Sequence, residues 1–149
     1  MVGRFLGAGD AGTARGSGRR MIEVGIGFGL VAGAALFALH SVLPHLFTDD
    51  PAVASLAAFV LVWVAALQPV NAVAFVLDGI LIGAGDMRFL AWAMAGAAAV
   101  FVPPAVAVAA LDAGIGWLWA CLGLLMVTRA VSLWVRFASD RWVVLGAVR

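Results

Sequence analysis

The sequence predicts an all-α membrane protein with four transmembrane helices, and three observations lead there. Of its 149 residues, 65% are hydrophobic and 11% charged, with a mean hydropathy of +1.12. A soluble domain carries about a quarter charged residues, and one of this size could not hide so much apolar surface. Four long segments are uncharged or nearly so, each suited to crossing a bilayer. Finally, a tetrapeptide recurs: Gly7-Ala8-Gly9-Asp10 and Gly83-Ala84-Gly85-Asp86, 76 positions apart, each just before an apolar stretch. Two spans separate the copies, so both lie on the same side of the membrane. A helix pair closed by a tight polar turn and then repeated is a common way to build transporter lobes.

Residues 1–20 read as a cytoplasmic loop, with six Gly, four Arg and one Asp. A chain opening inside a loop is expected to be the tail of a longer protein. The apolar run after Arg19 and Arg20 is too long for a signal peptide, and three more follow. The first helix is expected over about 21–47, where Val24 to Thr48 contains no charge in 25 positions. Gly25, Gly29 and Gly33 recur every fourth residue and form a smooth face for close helix packing. Asp50 before Pro51 is an N-cap followed by proline at the first helical position.

The second helix is expected over about 51–82. Pro69 interrupts it, flanked by Gln68 and Asn71, and a proline there kinks the helix and frees a carbonyl at membrane depth. The third, about 89–111, carries Pro103 and Pro104. The fourth, about 115–136, is interrupted by Arg129, which is near enough to the helix end to snorkel. A cytoplasmic tail, 138–149, follows, with Trp142 as an interfacial anchor alongside Trp117 and Trp134.

Orientation follows from the arginines. Arg4, Arg15, Arg19, Arg20, Arg88, Arg136, Arg141 and Arg149 flank one side, while the opposite turns hold Asp49, Asp50 and Asp112 and no basic residue. Both termini and both Gly-Asp turns are therefore expected in the cytoplasm of a multi-pass cell-membrane protein.

Several chemistries are excluded. Gly7 to Gly12 matches a dinucleotide fingerprint, but no strand precedes it and a membrane helix follows. The glycines suit a tight turn, and Asp10 and Asp86 suit caps of the following helices. Cys121, His40 and His45 are too scattered for a metal site, and Cys121 reads as a small buried hydrophobe. Neither a catalytic constellation nor a nucleic-acid patch is visible, so no catalytic residue, cofactor or metal is expected.

Two candidate pathway sites remain. Asp78 is the acidic residue placed inside the membrane, where a carboxylate is costly and by default functional; it also reads as a headgroup-level residue paired with Arg88 or a loop N–H. Gln68 and Asn71 beside Pro69 suit an ion or substrate site on a broken helix, and equally a kink satisfied by neighbouring helices.

Taken in order, Met1-Val2-Gly3-Arg4-Phe5-Leu6-Gly7-Ala8-Gly9-Asp10, Leu46-Phe47-Thr48-Asp49-Asp50-Pro51, Gln68-Pro69-Val70-Asn71 and Asp78-Gly79-Ile80-Leu81-Ile82-Gly83-Ala84-Gly85-Asp86-Met87-Arg88 resemble the multidrug and toxic compound extrusion (MATE) family, in its DinF-like branch. The resemblance implies a twelve-helix antiporter in two lobes, exporting organic, often cationic, compounds against Na⁺ or H⁺. It places this chain at the last four helices and implies that the N-terminal helices are missing from it. It also puts Asn71 where the NorM-like branch carries an acidic residue tied to cation coupling. An amide there coordinates a cation but does not titrate. A stand-alone four-helix scaffold dimerising through the Gly25/Gly29/Gly33 face is the alternative. A small dimeric multidrug pump is weaker, because its membrane Glu has no counterpart: Glu23 lies at a helix start.

Overall fold

The computed structural model describes residues 2–144. Met1 and the last five residues of the predicted tail, Arg149 among them, lie outside the described residues. The described chain is helical, with α1 (Val2–Gly7), α2 (Ala11–Leu39), a 3-10 turn (Leu43–Leu46), α3 (Pro51–Gly83), α4 (Met87–Ala110) and α5 (Ile115–Ala138). The four long helices each hold an apolar window able to cross a membrane. Helix α3 is central, packed between α2 and α5, while α4 lies against α5 and scarcely touches α3.

The predicted loop over 1–20 is a correction, since only Ala8 to Asp10 turns and α2 begins at Ala11. Asp10 supplies the reason: its carboxylate accepts from the Thr13 N–H at 2.9 Å, satisfying an otherwise orphaned donor. Packing does the rest. Gly18 lies under the Phe137 ring and Ala14 is buried, so α2 is helical here because another helix covers it. At its other end α2 stops at Leu39, short of the predicted boundary, and Pro44 sits in the 3-10 turn that follows. The Asp50 cap is as predicted, accepting from Ala52 N–H at 2.8 Å with Pro51 opening α3.

Both Gly-Ala-Gly-Asp copies close by the same hydrogen bonds. Asp10 N–H reaches back to Phe5 O at 2.9 Å and Gly9 N–H to Leu6 O at 3.1 Å. In the second copy Asp86 N–H reaches Leu81 O and Gly85 N–H reaches Ile82 O, both at 3.0 Å. This is the Schellman pattern, which needs a left-handed residue at its centre; Gly9 (φ 78°) and Gly85 (φ 80°) provide it. Gly3 rests on the Gly83 carbonyl, which puts both turns at one end of the bundle.

The buried cluster gathers at that same end: Val2, Leu6, Ile22, Leu77, Ile80, Leu81, Leu133 and Trp142. Trp142 is therefore another correction. Its ring is 1% exposed, stacked on Phe137 at 5.3 Å, and its indole N–H donates to Phe137 O. It closes the core; it does not anchor an interface. Trp117 and Trp134 are exposed at opposite ends of α5, as an anchoring role requires. Elsewhere large apolar side chains face outward, Phe28 at 73% and Trp92 at 75% exposure. Such a surface suits hydrocarbon surroundings.

Candidate functional site

Helix α3 runs unbroken through Pro69, and α4 runs unbroken through Pro103 and Pro104. Lacking an N–H, Pro69 leaves the Ala65 carbonyl without its usual helical donor. That carbonyl meets α2 at Gly33, where an added Cβ would lie 2.7 Å away. Gly29 sits against the Gln68 carbonyl and Pro69 Cα, and Gly25 against Val76. The glycine stripe is thus the α2–α3 seam of this chain, the close helix packing its spacing predicts, and it is not free for the dimer of the alternative scaffold reading. Only residues without a side chain let α2 approach the disrupted stretch of α3 this closely.

Gln68 and Asn71 part company on the helix. The Gln68 Cβ is packed near Gly33 on the α2 side, and neither residue lines a described cavity. Asn71 is more informative. Its Oδ1 is buried and accepts no hydrogen bond among the described residues. An orphaned acceptor at membrane depth costs free energy unless a donor or a cation visits it.

Two turns further along α3, Asp78 is bound by the Arg129 guanidinium of α5. This replaces both expectations: Asp78 pairs with Arg129 and not with Arg88, and Arg129 turns inward to it instead of snorkelling. Both side chains are largely covered, at 13% and 18% exposure, and the guanidinium lies 5.7 Å from the Phe75 ring centre. The pair borders a cavity of about 250 Å³ lined also by Ile82, Leu90, Met87 and Met94. A carboxylate that costs about 2.5–3.5 kcal/mol alone at mid-bilayer is tolerated because its counter-charge comes with it.

A second rung repeats the first. Arg136 donates to Asp86 at 2.6 Å and lies 4.9 Å from the Phe89 ring centre. Asp86 is therefore not the cap that was expected: its carboxylate is spent on α5, and no side-chain hydrogen bond caps α4. Arg129 and Arg136 are seven residues apart on α5, and Asp78 and Asp86 eight apart across α3 and its turn. Charges two helical turns apart on two helices were the available signal for this ladder. A third, exposed pair joins Arg15 to Asp140 at 2.8 Å.

Asp10, outside the membrane segments, is held below the usual carboxylate value of 3.8 by the Thr13 hydroxyl and then the Thr13 N–H. A depressed folded-state pKa contributes stability that is present above the unfolded value and lost as pH falls through the folded one. Amide protection in the first turn of α2, taken relative to the intrinsic exchange rate at each pH, is therefore expected to be present at pH 5 and to fall below pH 3.8. Protection unchanged down to pH 2 would deny Asp10 its capping role.

Helices that hold largely covered charge pairs, an orphaned amide oxygen and a cavity within apolar spans are those of a multi-pass membrane protein. Comparison narrows this. The MatE family model matches residues 1–108. The chain is 36% identical over 120 residues to Protein DETOXIFICATION 43 of Arabidopsis thaliana, covering 80% of this chain and 23% of that protein. It is 36% identical over 113 residues to the same plant's Protein DETOXIFICATION 44, chloroplastic, covering 75% and 21%. With Protein DETOXIFICATION 42 the identity is 32%, covering 84% and 24%. No solved structure matches. The chain belongs to the MatE family of multidrug and toxic compound extrusion transporters. It spans less than a quarter of the length of these curated relatives.

Proposed function

We propose that this chain forms the last four helices of a DinF-like, cation-coupled antiporter that exports drugs or other organic compounds, some of them cationic. The observation that carries the proposal is the family match over residues 1–108, which takes in both Gly-Asp turns, Asn71 and Asp78. In this reading the first lobe and the two preceding helices come from the rest of the transporter, and the coupling ion is Na⁺ or H⁺. Asn71 fits a role in the ion or substrate path because its Oδ1 lacks a donor. Gln68 and Asp78 are its candidate neighbours along α3, with Pro69 as hinge.

The arginines at the turn-bearing end and the aspartates at the other favour a cell-membrane protein with both termini and both turns cytoplasmic. Rocking of two lobes needs both lobes, so these helices alone are expected to move nothing. Proteoliposomes holding only this chain should show no efflux of a fluorescent organic cation under a Na⁺ or pH gradient. Those holding a longer transporter that includes these helices should show efflux, reduced at least tenfold by Asn71→Leu. Gradient-driven efflux by the short chain would overturn the partial-lobe reading, and normal efflux by the Asn71 variant would remove that residue from the path.

A further inference from the structure

Helices α2 and α5 leave a furrow between them, floored by α3, in which two cavities share Ile26 and Trp134. The outer one, about 630 Å³, opens at the arginine-bearing end of α2 and is rimmed by Arg15, Arg19, Glu23 and Asp140. The inner one, about 440 Å³, continues over Pro69, Val70 and Val73 to Val127, and apart from Trp134 at the junction it is lined by aliphatic side chains. The carbonyl freed by Pro69 faces α2 at Gly33, so the floor of the furrow stays apolar.

The dimensions identify what fits. From Arg15 to Ile26 along α2, and from Ala138 back to Val127 along α5, the furrow runs for roughly 16 Å of helix. One leaflet of a bilayer's hydrocarbon core is about 15 Å, half of the ~30 Å total. The lining thus changes from charged to apolar over the depth in which a single phospholipid changes from headgroup to chain. A further spanning helix would call for a groove about twice as long. At the rim, Arg15 is engaged by Asp140 at 2.8 Å and Glu23 by Arg20 at 3.1 Å. Arg19 is the rim cation with no carboxylate partner among the described residues.

We propose that this furrow is a phospholipid site, with the lipid phosphate on Arg19 and one acyl chain passing Ile26 and Trp134 to lie on Pro69, Val70 and Val73. Trp134, half exposed at the junction, has the amphipathic ring that favours the headgroup–chain boundary. Basic positions between membrane helices hold lipid headgroups for the same electrostatic reason. The site requires that this face of α2, α3 and α5 meets lipid, and it takes no part in the ion or substrate path of the transport reading.

Native mass spectrometry of the whole chain, extracted in detergent and titrated with dioleoyl phosphatidylglycerol, tests it. The unaltered chain should retain one phospholipid per chain through delipidation. Arg19→Gln should weaken binding about fivefold, the worth of roughly one basic residue at a lipid surface. Val131→Trp fills the inner furrow from a position already 56% exposed and should abolish retention, with Val127→Trp as a second filling variant. Trp92→Ala, on the outer face of α4, should change nothing. Equal retention in every variant would mean annular lipid and would overturn the site. So would retention lost on filling the furrow but indifferent to Arg19→Gln, because the occupant would then lack the phosphate.

Discussion

Replacing Arg129 with leucine is expected to destabilise the bundle by about 3–5 kcal/mol, because the substitution strands the Asp78 carboxylate between helices with no counter-charge. For a chain of this length, that lowers the melting temperature in detergent by on the order of 10 °C. Asp78→Leu should cost less, since a lone arginine can carry its charge outward along its flexible stem while a short aspartate cannot. The double variant Asp78→Leu/Arg129→Leu should recover most of the loss, because an apolar pair of similar volume often replaces a buried ion pair without penalty. A melting curve of Arg129→Leu that matches the unaltered chain would show that the pair holds nothing together. A double variant as unstable as the Arg129 single would assign the loss to packing and not to charge.

The other large effect is expected at Gly29. An added Cβ there would stand 2.8 Å from Ala72 Cβ, 2.9 Å from the Gln68 carbonyl oxygen and 3.0 Å from Pro69 Cα. Two of those neighbours are backbone atoms of α3 and cannot rotate away, so α2 and α3 must separate. Gly29→Val should therefore cost about 3 kcal/mol or more, at the upper end of overpacking effects. Gly27→Val, with nothing within 4 Å of its added Cβ, is the matched control and should leave the fold intact. Folded yield by size-exclusion chromatography reads both. Equal yields would mean that α2 and α3 do not meet as closely as described. Because the stripe is consumed within the chain, any self-association should be indifferent to which glycine is changed.

Much of this architecture was written in local chemistry. The apolar segments, the Asp50-Pro51 start of α3 and the paired glycine turns each depend on residues within a few positions of one another, as helix spans and Schellman turns do. The glycine stripe was legible as a packing face, though its partner was not. Residues 11–20 misled because glycine and arginine read as loop, whereas Phe137 and Ile80, more than sixty positions away, cover Gly18 and hold the helix. The candidate site was half legible. Asp78 and Asn71 declared themselves as polar groups at membrane depth, but the partner Arg129 lies 51 positions away, and only the matching spacing of Asp78/Asp86 and Arg129/Arg136 hinted at it.

The sequence by itself thus determined that the chain crosses a membrane four times, where it turns and which residues are polar inside it. Those properties follow from hydropathy, helical rise and backbone conformation, all of them local. Only the tertiary structure decided that Asp78 answers to Arg129, that Asp86 serves α5 instead of capping α4, and that Trp142 closes a core. Side-chain partners across helices depend on how α3 is rotated toward α2 and α5, and packing sets that rotation.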